Sequence, residues 1–528
     1  MVRLNKFSLK EKYDDILKYI LFLLIILQGL FIFLINFLQT DAFLFFDNAT
    51  AIRHGIEMWR KGIFLEGYHY FSTMEIDNAA FFAVPLYFLT NHLGLSLGIV
   101  HVLLYALCVY LIYSLFKNGE YDTKYGLVGA LFLFSPYVIS GLDWGNMMFV
   151  TVGQYEFRVM VMISLANLMV QVLNNKTSGK KFVLFVIFNV VLCFWTSLSC
   201  GNYVLLMIIL PFIIFYIFYV CNADKLVIDK YAVLVLGTAF ASCVAGWLLR
   251  SNFIGETSRN SLPLLTADTF SINLQYCITG FFMLFGALDQ EPYIDIFSSK
   301  GILKIFKIVF ILTCMVLVIA KLKKLKKKDS FMYMFIFVAI VNLMVMIFTF
   351  TRYGAMIFEY RYHIIWGAMF LLAAIASIDV IEAIILKRAV FIGMIFMCFV
   401  INYGAFNGVF IKPLATIHDK QVIEVAKEQS IDTIYVYDMP DDAATIRVLD
   451  FDLNCMSVVL QDGVVKAKTD NYFIDYSREY DYSDRHLFIC RPDSFELLPD
   501  YIKSNYKKIK ELQIGWVFIG DINPWLEY

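Results

Sequence analysis

Apolar residues in this chain come in long runs of similar length. Eleven runs, over 19–38, 98–116, 125–141, 157–173, 182–199, 203–220, 231–249, 301–320, 331–350, 364–385 and 389–407, predict membrane-spanning helices, because about 20 apolar residues cross a hydrocarbon layer of roughly 30 Å. The first run, Tyr19 to Leu38, exceeds a signal-peptide core and has no small-residue cleavage site, so it reads as an uncleaved anchor. Directly after it comes a different period. In "FFDNATAIRHGIEMWRKGIF", residues 45–64, Ala49, Ile52, Ile56, Trp59 and Ile63 recur at steps of three and four. That is one apolar stripe of a helix, with Asn48, Arg53, His54, Glu57, Arg60 and Lys61 on the other side. Such a helix can lie flat at the lipid–water boundary, with Asp47 at its N-terminal start.

Beyond residue 411 the long runs stop. "TIHDKQVIEVAKEQS" and "DDAATIRVLDF" have helical periods, "DTIYVYD", "HLFIC" and "WVFIG" read as strands, and "SVVLQDGVV" reads as a hairpin around Asp462-Gly463. The expected organisation is a transmembrane domain, 1–411, followed by a compact soluble α/β domain, 412–528. No glycine-rich phosphate loop follows a strand there, so a nucleotide site is unsupported.

Charge orients this arrangement. If the N-terminus is cytoplasmic, the inner loops hold Arg3, Lys6, Lys10, Lys12 and Lys18, then Lys117, Lys124, Lys176, Lys180, Lys181, Lys225, Lys230, the run "KLKKLKKK" at 321–328, and Lys387 with Arg388. The intervening loops are poorer in Lys and Arg, the bias expected of cytoplasmic and extracytoplasmic sides. The fold class that follows is a polytopic α-helical membrane protein of about 11 spans, N-in and C-out, with an extracytoplasmic C-terminal domain. A composition of 60% hydrophobic and 17% charged residues excludes a soluble enzyme, and a net charge of −1 leaves no nucleic-acid footprint. Abundant Phe, Ile, Lys and Tyr point to an AT-rich bacterial genome, hence to a bacterial plasma membrane. The ten Cys show no short paired spacing; Cys455 and Cys490 are either a disulfide or two buried thiols.

Candidate chemistry gathers in the predicted outer segments. The order after the first span is an acidic residue, an amphipathic helix ending at Gly62, then Pro85-Leu86, then Gly94 or Gly98 before the second span. This order resembles the lipid-linked-sugar glycosyltransferases of the C-type superfamily (GT-C), such as protein O-mannosyltransferases and aminoarabinose transferases. The resemblance covers residues 19–116, and it implies that an Asp just past the first span is catalytic. Asp47 matches that position, with Asp41 as the alternative. The chain departs from the O-mannosyltransferase pattern in having Asp47-Asn48 where an acidic pair is common, and a single Pro-Leu. The implied substrates are a polyprenyl-phosphate-linked sugar from the membrane and an acceptor in an envelope glycan, lipid or protein. Chemistry agrees with a carboxylate here, since an acceptor hydroxyl or amine must lose a proton as it attacks the sugar. The bland account of Asp47 is a helix cap.

The leaving phosphate needs cations. "TRYGAMIFEYRYH" offers Arg352, Arg361 and His363, with Glu359 nearby, and an Arg fork can bond two phosphate oxygens at once. Structural pairing of Glu359 with an Arg beside an aromatic belt is the competing account. Arg53, Asp143, Glu156 and Arg158 could complete a cavity; Glu156 and Arg158, two apart, need separate partners. His69 with Glu75 and Asp77 could hold a divalent metal, although their spacing prescribes none; no cofactor is certain. The alternative functions are a transporter or flippase, or a polymerase, of lipid-linked saccharides. Against transport, the chain shows no two related halves, and its polar residues gather near span ends.

Overall fold

The computed structural model describes residues 2–44, 46–65, 73–137, 144–222, 228–253, 267–288, 295–324, 329–349, 360–406, 419–461, 463–467 and 485–520. It divides into two compact units, Met1–Phe37 with Ser72–Ala79 and Leu97–Lys412, and Leu38–Phe71 with Ala80–Ser96 and Pro413–Tyr528.

The first unit is helical. Among the described residues nine helices are long and apolar enough to cross a membrane. The helix Glu156–Leu173 is the innermost, buried from Glu156 to Val172. It is apolar nearly all round, as a helix surrounded by other helices must be, and polar groups on it find partners on neighbouring helices. Asn118 Nδ2 donates to Asn167 Oδ1 at 2.7 Å, and Asn189 Nδ2 donates to Ser164 Oγ at 3.3 Å. Lys180–Cys200 packs along Lys230–Ser251, where Gly246 brings the backbones together: a Cβ there would stand 2.5 Å from the Phe194 carbonyl oxygen. Two expected spans fall on shorter helices. That over 125–141 is the helix Thr123–Leu133, which stops just before Pro136. That over 203–220 begins as a π-helical turn, Leu205–Ile209, and continues as Leu210–Cys221. Pro211, which has no N–H to donate, follows that wide turn. An apolar helix that the run lengths did not predict, Ala267–Leu284, packs on Ser330–Thr349 and on the turn Tyr360–His363. Its first turns are polar and only its C-terminal half is continuously apolar, so it falls short of a span-length run.

The second unit holds a six-stranded sheet in the order β3-β2-β1-β4-β6-β5, with β1 Thr433–Tyr437, β2 Asn454–Gln461, β3 Val464–Ala467, β4 His486–Cys490, β5 Lys507–Glu511 and β6 Trp516–Gly520. β1 runs parallel to both β2 and β4, with Ile434 opposite Cys455 and Leu487; the other pairs are antiparallel. Alternation sorts the strands' side chains. Ile434 and Val436 face Val422, Ala426 and Ile446 of the helices Asp419–Gln429 and Pro440–Leu449, while Tyr435 joins Phe488, Tyr506 and Phe518 on the other face. Cys455 and Cys490 belong to opposite faces and are free buried thiols, so the disulfide is ruled out by geometry.

The amphipathic helix of the segment after the first span is Phe46–Lys61, and it corrects the lipid-surface expectation. Ala49, Ile52 and Ile56 are fully buried. Its neighbours in this unit are the helix Pro440–Leu449 and the helix Ala79–Thr90, where Trp59 Nε1 donates to the Phe81 carbonyl at 2.8 Å. Protein covers the Ala49, Ile52 and Ile56 part of the stripe, while Trp59 further along it is 46% exposed.

Candidate functional site

In the second unit, Asp47 stands in the first turn of Phe46–Lys61 and is half-buried, and Asn48 beside it is buried with Nδ2 donating to the Phe43 carbonyl at 2.9 Å. Asp41 is taken by an ion pair with Lys420. Arg53 pairs with Glu57 at 3.0 Å, lies over the Phe451 ring at 5.4 Å and reaches the Phe451 carbonyl at 3.5 Å. Burial alone would raise the Glu57 carboxyl, yet Arg53 and Lys61 together hold it below its usual range. His54 is enclosed, and burial pushes its imidazole down to about 3, so it stays neutral. Polar and charged residues thus hold this helix to its own unit, and Asp47 is the carboxylate at its entrance.

In the first unit, Glu156 and Arg158 do take separate partners. Arg158 Nε meets Asp77 Oδ2 at 3.1 Å, and the guanidinium sits over the rings of Tyr155 and Tyr203 at 4.5 and 5.1 Å. Ser199 donates its hydroxyl to Asp77 Oδ1 at 2.5 Å, and Arg250 Nε donates to the Ser199 carbonyl at 3.2 Å. Both Asp77 oxygens are therefore engaged by donors in a buried setting. That arrangement suits a carboxylate that holds structure, not one that accepts a proton from an incoming nucleophile. Glu156 Oε1 lies 2.9 Å from His101 Nδ1, while His101 Nε2 donates to the Thr151 carbonyl at 3.1 Å. With Nε2 carrying a hydrogen, the Nδ1–Oε1 contact shares one proton, so the buried pair is neutral overall. Gly153, at φ +60°, leaves the room: a Cβ there would be 2.7 Å from His101 Cε1 and 2.8 Å from Glu156 Oε2. Asn36 fixes the same loop, accepting from the Thr151 N–H at 2.7 Å and donating to the Phe149 carbonyl at 2.8 Å. The loop carbonyl of Val152 accepts from Ala79 N–H at 2.8 Å, which ties down the segment that carries Asp77.

Arg361 is half-buried with its guanidinium 5.3 Å from the Tyr362 ring centre. His363 is buried; its Nδ1 accepts from Trp366 Nε1 at 2.9 Å and its Nε2 would lie 2.6 Å from a Cβ on Gly280, so it packs against the helix Ala267–Leu284. His69, Asp143, Arg352 and Glu359 lie outside the described residues. Among the described residues no three His, Cys, Asp or Glu side chains come together as metal ligands, and Glu75 accepts instead from the Thr73 hydroxyl at 3.4 Å. The sequence reading missed His101, Ser199 and Arg250. A signal existed for the first, since a histidine inside an apolar span is costly enough to demand a partner.

No protein-family model matches the chain, and neither does any curated protein sequence. Solved structures do. ArnT from Cupriavidus metallidurans in the apo state is similar with a TM-score of 0.58 at 12% identity, over 94% of this chain and 97% of that one. The same protein bound to undecaprenyl phosphate matches over the same shares, with a TM-score of 0.33 at 10% identity. The archaeal oligosaccharyltransferase AglB from Archaeoglobus fulgidus, in complex with an inhibitory peptide and a dolichol-phosphate, gives a TM-score of 0.47 at 12% identity; the match covers 83% of this chain, which spans only 64% of AglB. At the level of fold, this chain shares the architecture of ArnT along nearly its whole length.

Proposed function

We propose that this protein is an integral-membrane glycosyltransferase that moves a sugar from a polyprenyl-phosphate donor to a hydroxyl or amine of an envelope glycan, lipid or protein. The reaction is placed on the extracytoplasmic face of a bacterial plasma membrane, as the lysine and arginine bias of the loops suggests. The observation that carries the reading is the ArnT-like fold over 94% of the chain, joined to a carboxylate in the first turn of the helix after the first span.

Asp47 is the proposed base. A base must meet its nucleophile, and Asp47 is only half-buried, whereas Asp77 is buried between Arg158 and Ser199. Arg361, with Arg352, is the proposed holder of the donor phosphate, Arg being suited to a bidentate grip. A divalent cation could share that work, and its requirement is read by adding a chelator to the assay.

The test is transfer of a labelled sugar from a polyprenyl-phosphate donor by the full-length protein in liposomes. A carboxylate in the first turn favours the helix N-terminus by about 0.3–1 kcal/mol, so Asp47→Asn should change stability by at most about 1 kcal/mol. It cannot accept a proton, and turnover should fall roughly 10²-fold or more. Full activity in this variant would remove Asp47 from the chemistry.

A further inference from the structure

The six-stranded sheet carries a cavity that the proposed function does not use. Strand β1 runs parallel to β2 and β4, so the three strands begin at one edge of the sheet. Asp432 precedes β1, Leu453 precedes β2 and Arg485 precedes β4, and together they line a cavity of about 610 Å³ at that edge. This volume falls within the range of about 300–1,000 Å³ of small-ligand sites. Two helices of the same unit end there as well. Lys427 lies in the last turn of Asp419–Gln429, and Asp450 and Asp452 directly follow Pro440–Leu449.

The lining is of two kinds. Ala426, Ile431 and Leu453 are buried and make an apolar floor. Around it stand three carboxylates, Asp432, Asp450 and Asp452, against two cations, Lys427 and Arg485. Lys427 Nζ is paired with Asp450 Oδ2 at 2.8 Å, so its charge is answered within the protein. Asp432 and Asp452 are exposed. The Asp432 carboxylate accepts from the Thr433 hydroxyl at 3.2 Å, and that of Asp452 forms no ion pair among the described residues. Each helix end adds a partial negative charge of its own. The cavity is therefore richer in acceptors than in donors.

That balance selects among ligands. A phosphate would meet three carboxylates and two helix ends of its own sign. A metal ion needs converging ligands, and no three acidic side chains among the described residues come together in that way. A wholly apolar ligand would strip water from the charged wall and return no hydrogen bond. A sugar ring satisfies both parts of the lining. Its hydroxyls donate to carboxylates and accept from an ammonium or guanidinium, while its C–H face can rest on the apolar floor.

We propose that this cavity binds a saccharide without anionic groups, and that it docks the sugar chain of the acceptor. The inference rests on the glycosyltransferase reading above. It narrows the acceptor to a molecule that carries a glycan, and it gives the sheet domain a task separate from the base at Asp47.

The test applies the full-length protein, in nanodiscs of a neutral phospholipid, to an array of neutral, amino-bearing and acidic oligosaccharides, with decalysine as a peptide probe. Wild type should bind neutral or amino-bearing glycans and reject the acidic ones. Asp432→Ala with Asp452→Ala changes two exposed residues, which leaves the fold intact, and should weaken this binding about tenfold, the loss expected of charge-assisted hydrogen bonds. Asp493→Asn, an exposed carboxylate beyond the far end of β4, should bind as wild type does. In the transfer assay the double variant should raise the acceptor KM by a similar factor and leave the donor KM unchanged. Binding of no neutral or amino-bearing glycan, or equal binding by the double variant, would overturn the cavity as a saccharide site and leave the reading of Asp47 standing. Glycan binding that depends on Asp432 and Asp452, without any sugar transfer, would overturn the acceptor role together with the transferase reading. Tighter binding of decalysine than of every glycan would show a peptide site and overturn the saccharide assignment.

Discussion

Asp47 and Asp77 lie thirty residues apart and are both flanked by Asn, yet one is half-buried in a first helical turn and the other is buried between charged and polar partners. Asp77 accepts from Ser199 and faces Arg158, and neither partner is near it in sequence. Replacing it by Asn keeps the acceptor for Ser199 but leaves the Arg158 guanidinium buried without its counter-charge. The expected cost is about 3–5 kcal/mol, read as a lower unfolding temperature of the purified protein, and adding Arg158→Met should recover most of it. A stable Asp77→Asn protein would show that the pair is not needed for the fold. Arg361 is tested by the opposite logic, conserving charge and removing geometry. Arg361→Lys should raise the donor KM about tenfold with a smaller change in kcat, because a lysine cannot reproduce the two-pronged contact. An unchanged donor KM would make Arg361 structural.

Among the elements, the helix Asp419–Gln429 carries a pH dependence of its own. Asp419 at its start is buried, and that burial, reinforced by the Asp442 charge, lifts its carboxyl to about 7. A folded-state value above the unfolded one means that the folded protein holds the proton more tightly. The resulting stability is fully present below about pH 4 and is lost as pH rises to about 7, at no more than about 1.4 kcal/mol per pH unit. Asp419→Asn should remove this slope and raise the unfolding temperature at pH 8 relative to wild type, with little difference at pH 4. An identical pH profile in the two proteins would mean that Asp419 is solvated in solution. The helix Phe46–Lys61 teaches a different point. Its stripe was readable from periodicity, but a buried Ile52 and a lipid-facing Ile52 produce the same pattern.

For the whole molecule, the open quantity is which side each loop faces. Charge bias predicts that the end of the helix Leu210–Cys221 is cytoplasmic and that the sheet domain is outside. Cys221 is exposed, so it serves as a native probe, and Leu497, 71% exposed, is a site for an introduced one. A membrane-impermeant maleimide applied to intact cells should label Leu497→Cys in a Cys221→Ser background and should leave Cys221 of the wild type unlabelled. The reverse pattern would invert the topology and move the proposed chemistry to the cytoplasmic face.

Much of this protein was legible along the chain. Run length gave the helical membrane character, short β-rich runs gave the strands around Ile434 and Leu487, and the step of three and four gave the helix behind Asp47. These are local signals, set by the rise and period of a helix or strand, and each is complete within about twenty residues. What the sequence could not decide was every pairing that closes a long loop. His101 finds Glu156 across 55 positions and Arg158 finds Asp77 across 81, and spacing alone offered neither partner. The same holds for Cys455 and Cys490, which a sequence reading could join and the two faces of one sheet keep apart. Periodicity states which side of an element is apolar; only the packed chain states what covers that side, because the covering surface comes from elements far away in sequence.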